Sequence, residues 1–130
     1  MNTQWLWQSF YVGLGGFVGS IFRFGVSGFV HRLFPFSTFP YGTLTVNVTG
    51  CLIIGLLGGL SESRQVIGPE LRLFLFLGVL GGFTTFSTFG YETIQLLRDA
   101  EGLRAGANVG LHIALGLLAV WLGYSLARTS

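Results

Sequence analysis

Neutral hydrogen-bond donors are the chemically able side chains that this sequence places inside its apolar stretches. Thr43, Thr45, Asn47 and Thr49 lie in one stretch, Thr84, Thr85, Ser87 and Thr88 in another, and Asn108 and His112 open the last. Hydroxyls and amides can stand in for the water around a small anion. No Asp or Glu lies in the middle of any apolar stretch, and Glu92, towards the end of the third, comes nearest. Cation pathways, proton relays and exporters of cationic drugs usually set a carboxylate at membrane depth. Donors without carboxylates suit a small anion instead. Arg23 is the one cation inside a stretch, and its side chain is long enough to reach an interface.

The densest signal runs Gly78-Val79-Leu80-Gly81-Gly82-Phe83-Thr84-Thr85-Phe86-Ser87-Thr88-Phe89. Gly81-Gly82 is the costliest place in it to hold a helix. Thr84 and Thr85 are β-branched and can hydrogen-bond neighbouring backbone. The pattern predicts a break near residues 81–85. Carbonyls freed there could hold a small monovalent cation such as Na⁺; a kink satisfied by Ser and Thr side chains, with no ion, is the plainer reading. Phe86 and Phe89, three apart, share a face after the break. Phenyl edges are positive, so edges aimed at a pore would stabilise an anion without trapping it; plain packing is the other reading.

The elements that must position these groups follow from composition. Hydrophobic residues make up 51% of the 130 residues and charged residues only 9%. Soluble domains carry about 25% charged residues, so a soluble or disordered chain is excluded. A helix crossing the bilayer needs roughly 20 mostly apolar residues. Four such spans are predicted, at about 7–30, 42–60, 71–97 and 105–126, in a single membrane domain covering 1–130. Pro35 and Pro40 mark the first connection, and Gly68-Pro69 the second. No cleavable signal is read at the N-terminus. Glycine pairs four apart (Gly15/Gly19, Gly55/Gly59, Gly78/Gly82 and Gly106/Gly110) predict close helix packing. Cys51 is alone and reads as a small packing residue. A net charge of +2 is too small and scattered for nucleic acid.

Four spans put Arg64, Arg72 and Arg128 on one side and Arg32, Arg98 and Arg104 on the other. Three against three gives the positive-inside rule nothing to choose between. An antiparallel homodimer with a two-fold axis in the membrane plane then becomes possible.

The Thr-Thr-Phe-Ser-Thr-Phe run preceded by Gly-Gly resembles the signature of the Fluc (CrcB) fluoride channels. Gly42-Thr43-Leu44-Thr45-Val46-Asn47-Val48-Thr49-Gly50 is similar to that family's Gly-Thr-Leu-x-x-Asn-x-x-Gly, and Gly19-Ser20-Ile21-Phe22-Arg23 fits its first span. The resemblance covers nearly the whole chain. It implies an all-α membrane protein of four transmembrane helices per chain with a broken third helix, assembled as an antiparallel, dual-topology homodimer in the inner membrane of a prokaryote. It implies a passive, fluoride-selective channel that lets F⁻ leave the cytoplasm, with two pores per dimer, each lined by both copies.

Residue by residue, the resemblance sets Phe86 and Phe89 on the ion path. Asn47 corresponds to the amide that donates to fluoride, with Thr43 one turn before it. Ser87 and Thr88 fall within the same signature. Glu92 matches an acid near one pore end and Arg23 an arginine near a vestibule. The carbonyls of Gly81 and Thr84 would hold a structural Na⁺ at the dimer centre, and no organic cofactor is implied. The fourth span departs from the family, which runs a track of hydroxyls along it; here the face spaced by four reads Asn108, His112, Gly116. Asn108 and His112 could supply equivalent donors.

Two other classes are weighed. A small dual-topology exporter of drugs or guanidinium-type cations would need a carboxylate in its first span, and 7–30 holds none. A non-transporting assembly subunit would explain the glycines but not a polar, interrupted segment at membrane depth. No paired carboxylates or nucleophile–base set suggests an enzyme.

Overall fold

The computed structural model of the chain describes residues 2–130. Its helices are α1 (Thr3–Leu33), α2 (Tyr41–Arg64), α3 (Pro69–Arg72), a π-helical segment (Leu73–Leu80), α4 (Gly81–Phe83), α5 (Phe86–Arg98) and α6 (Gly102–Thr129). Four passages are long and apolar enough to cross a membrane: Thr3–Leu33, Tyr41–Arg64, Pro69–Arg98 and Gly102–Thr129. Each extends a few residues past the apolar stretch. Asn2 caps α1 through its side chain, which accepts from the Gln4 N–H at 3.0 Å. Pro69 opens α3 at a position where its missing N–H is harmless.

The bundle is packed small side in. The outward surface carries bulky apolar groups such as Phe17, Phe24 and Leu117, whereas the largest fully buried side chains are only Val46 and Asn108. Lipid is as apolar as leucine, so close backbone approach holds the helices together instead. A Cβ on Gly78 would come 2.8 Å from Gly15 Cα, and one on Gly82 would come 2.7 Å from the Gly16 carbonyl. These contacts clamp α1 onto the third passage. A Cβ on Gly59 would meet the Tyr124 carbonyl at 2.7 Å, and one on Gly123 the Leu56 N–H at 2.8 Å, which clamps α2 onto α6. Gly106 and Gly110 have open space where a Cβ would stand, so that pair serves no contact within the chain.

Polar ties secure both ends. At one end Thr38 donates to Glu101 at 2.7 Å and Arg104 bonds Thr38, joining the α1–α2 and α5–α6 connections. At the other, Arg72 donates to Ser61 at 3.2 Å, Tyr124 to Glu62, and Arg64 to the Ser130 carbonyl. The connections turn through left-handed Gln65 (φ 52°) and Ala100 (φ 59°).

Candidate functional site

The third passage changes character twice. From Leu73 to Leu80 the helix widens, and the Gly81 N–H reaches back to Phe76 as well as Gly78. Gly81 and Gly82 remain helical. Thr84 (φ −85°, ψ 160°) and Thr85 (φ −153°, ψ 111°) are extended, and α5 begins at Phe86. Extended backbone is cheap for β-branched residues, while Gly82 is used for its close approach to Gly16.

The side chains around this segment absorb its loose backbone groups. Thr84 bonds the Leu80 carbonyl through both its N–H (3.0 Å) and its hydroxyl (2.9 Å). Thr85 caps α5, its Oγ1 accepting the Thr88 N–H at 3.2 Å and donating to Thr88 Oγ1 at 2.9 Å. Asn47 of α2 pairs with the Thr85 peptide in both directions. Its Oδ1 accepts the Thr85 N–H at 2.8 Å and its Nδ2 donates to the Thr85 carbonyl at 3.0 Å. The N–H that would pair the Gly81 carbonyl in a continuous helix is therefore spent on Asn47, and the one that would pair the Thr84 carbonyl is spent on Thr85 Oγ1. Gly50 leaves the room this needs, since a Cβ there would run into the Thr84 methyl.

Two cavities flank Thr85, and it lines both. The larger, about 640 Å³, is lined by Asn47, Phe86, Phe89 and His112 together with Gly81 and Thr84. Phe86 is 82% exposed on it. The Phe86 and Phe89 ring centroids lie 5.5 Å apart, and Phe89 lies 4.3 Å from the His112 ring at 43°. The smaller, about 380 Å³, is lined by Arg23, Thr43 and Thr88, with Ser20, Ser27 and His31 of α1.

The remaining sequence candidates lie off both cavities. Asn108 is completely buried; its Nδ2 donates to Thr93 Oγ1 at 3.0 Å, and its Oδ1 has no partner. Thr93 in turn donates to the Phe89 carbonyl at 2.7 Å. Glu92 Oε1 accepts from Thr43 Oγ1 at 2.8 Å, which ties α5 to α2, and its Oε2 is buried without a partner. Ser87 is exposed on α5. Sequence reasoning passed over Ser20, Ser27 and His31. Their signal was present, because with Arg23 they recur at steps of three and four along one face of α1.

The larger cavity thus combines an amide, two phenyl rings, an imidazole and hydroxyl-bearing backbone, with no carboxylate on its wall. Such a surface can bind a small anion by dipoles and ring edges alone.

Comparison with known proteins bears on this geometry. The profile described as CrcB-like protein, Camphor Resistance (CrcB), matches residues 10–124. The chain is 46% identical over 123 residues to a fluoride-specific ion channel FluC of Methylobacillus flagellatus, covering 95% of this chain and 96% of that one. It is 50% identical over 119 residues to the FluC of Opitutus terrae, covering 90% and 89%, and 43% identical over 126 residues to that of Methylocella silvestris, covering 95% and 92%.

Proposed function

The chain is a multi-pass membrane protein of the CrcB family, a family of channels rather than enzymes, and on that basis we propose that it conducts fluoride selectively and passively out of the cytoplasm, lowering fluoride toxicity. The observation that carries this reading is the wall of the larger cavity. Asn47, Phe86 and Phe89 converge there on a surface without a carboxylate. Fluoride is compact and strongly hydrated, so its path must replace water with several good donors. Neutral amides, hydroxyls and ring edges do so while leaving the ion free to move on. A full positive charge would hold it.

The working unit is an antiparallel homodimer in the inner membrane. Extended backbone cannot face lipid, because unpaired peptide groups are costly there. Thr84 and Gly81 lie on an open cavity, so another protein surface must cover them. A second copy in inverted orientation supplies that cover. Three arginines at each end leave either orientation equally allowed. The freed carbonyls of Gly81 and Thr84 suit a structural Na⁺, since two from each copy would make an all-oxygen set. The ion would supply a fixed positive charge that keeps the interrupted segments together. A cation exporter is disfavoured, because α1 contains no carboxylate.

Reconstituted protein in liposomes tests the reading. Rapid F⁻ efflux with negligible Cl⁻ efflux is expected, and equal rates for the two ions would reject it. For orientation, a Ser130→Cys variant made in a Cys51→Ala background should be labelled by an impermeant thiol reagent to about half in intact vesicles if both orientations insert equally. Complete labelling, or none, would reject dual topology.

A further inference from the structure

His112 has a role that a pore-lining donor would not have. Its Nδ1 lies 2.9 Å from the Asn108 carbonyl, which can only accept, so Nδ1 carries the proton. Nε2 of the neutral ring is then a bare lone pair. It lies 3.1 Å from Asn47 Nδ2. The orientation of the Asn47 amide is fixed independently by its two-way pairing with Thr85, which puts the NH₂ group at the His112 side. One Asn47 N–H goes to the Thr85 carbonyl and the other to His112. No Asn47 donor is left for an anion while this arrangement holds.

We infer that His112 is a built-in competitor for the anion at Asn47: its Nε2 lone pair occupies the acceptor place that fluoride must take, and protonation turns the same atom from competitor into a second donor. The inference rests on the fluoride-channel reading above. With the neutral ring, an arriving fluoride has to displace Nε2 from the Asn47 N–H. With the imidazolium, Nε2–H can no longer accept, Asn47 is released, and both groups point donors into the cavity. His112 is therefore a positioning residue in its neutral form and an anion-binding residue in its charged form.

The other titratable groups are placed differently. Cys51 of α2 lines the same cavity. Glu92 of α5 is held by Thr43, and Arg23 and His31 of α1 face the smaller cavity. No further titratable side chain of α6 or of the third passage lines the larger cavity among the described residues.

The test is the fluoride concentration giving half-maximal current across planar bilayers. It is measured for wild type, His112→Gln and His31→Gln between about pH 4.5 and about pH 8, a span wide enough to bracket the charge change of an imidazole inside the bundle. Wild type and His31→Gln should half-saturate at roughly five- to tenfold lower fluoride at the acid end, the difference between a neutral and a charge-assisted hydrogen bond. His112→Gln should show one value throughout. A flat wild-type profile, or a wild-type slope kept in His112→Gln, overturns the inference and leaves the channel reading intact. Absence of fluoride current from folded wild type at every pH overturns both. Nitrogen NMR of the wild-type imidazole supplies a readout that needs no variant to fold. A bare Nε2 at about pH 8 that shifts on addition of fluoride is expected, and a protonated Nε2 under those conditions overturns the proposal.

Discussion

The two cavities that meet at Thr85 differ in how they could act on an anion. The larger presents phenyl rings, the Asn47 amide and the His112 ring, all uncharged at neutral pH in the arrangement described. The smaller gathers hydroxyls around Arg23, the one guanidinium lining either cavity among the described residues. A cation attracts anions over several ångströms but holds them; dipoles and ring edges act only at contact and let go. Under the proposed function the two cavities divide the work, with attraction beside Arg23 and passage beside Phe86 and Phe89. The family resemblance already sets Arg23 apart from Phe86 and Phe89, and the structure adds that the split runs through α2. Thr43 and Asn47 stand one turn apart on it and yet line different cavities.

Three substitutions probe that contrast. Gly50→Val has the largest expected effect, because its side chain would displace the Thr84 methyl and disturb the segment both cavities share. Loss of fluoride flux together with loss of the proposed dimer on size-exclusion chromatography is expected. Wild-type flux would show that the extended segment does not need its present seat.

Arg23→Gln should be milder and conditional on salt. About a threefold fall in flux is expected near 0.01 M salt, where the screening length is about 30 Å, and no resolvable fall near 1 M. Loss of flux at every ionic strength would place Arg23 in the passage itself and erase the distinction between the cavities.

Thr43→Val should act mainly on stability. It removes the hydroxyl that donates to Glu92 Oε1, whose second oxygen already lacks a partner. A cost of about 0.5–1.5 kcal/mol follows from losing one hydrogen bond to a half-buried acceptor. It would be read as a lower midpoint of thermal unfolding in detergent, with flux reduced less than by Gly50→Val.

Much of the fold was legible because its determinants are local. Long apolar stretches punctuated by Pro35, Pro40 and Gly68-Pro69 suffice to set the four passages. The disturbed region of the third passage was legible too, but the roles within it were not. Gly81-Gly82 reads as the weak point, yet both glycines are helical and the extended residues are Thr84 and Thr85. Propensity assigns the cost to glycine, whereas the contact with Gly16 uses Gly82 inside a helix. The π-helical turns have no local signature in Leu73–Leu80. The pairing of Asn47 with Thr85 joins residues 38 positions apart, and its bond to His112 spans 65. Such contacts depend on how α2, α5 and α6 converge, which no periodicity encodes. Asn108 shows the same limit: its place on the polar face of α6 suggests a pathway, but it is sealed between helices against Thr93.

Fluoride efflux from liposomes carrying the Phe86→Ile, Phe89→Ile double variant, recorded with a fluoride electrode after the protein is verified as a folded dimer, puts the ring-edge passage to its sharpest trial. Isoleucine keeps the apolar bulk and removes the positive ring edge, so F⁻ efflux should fall by at least about tenfold, the equivalent of one lost charge-assisted contact. Efflux at the wild-type rate would contradict passage beside uncharged ring edges.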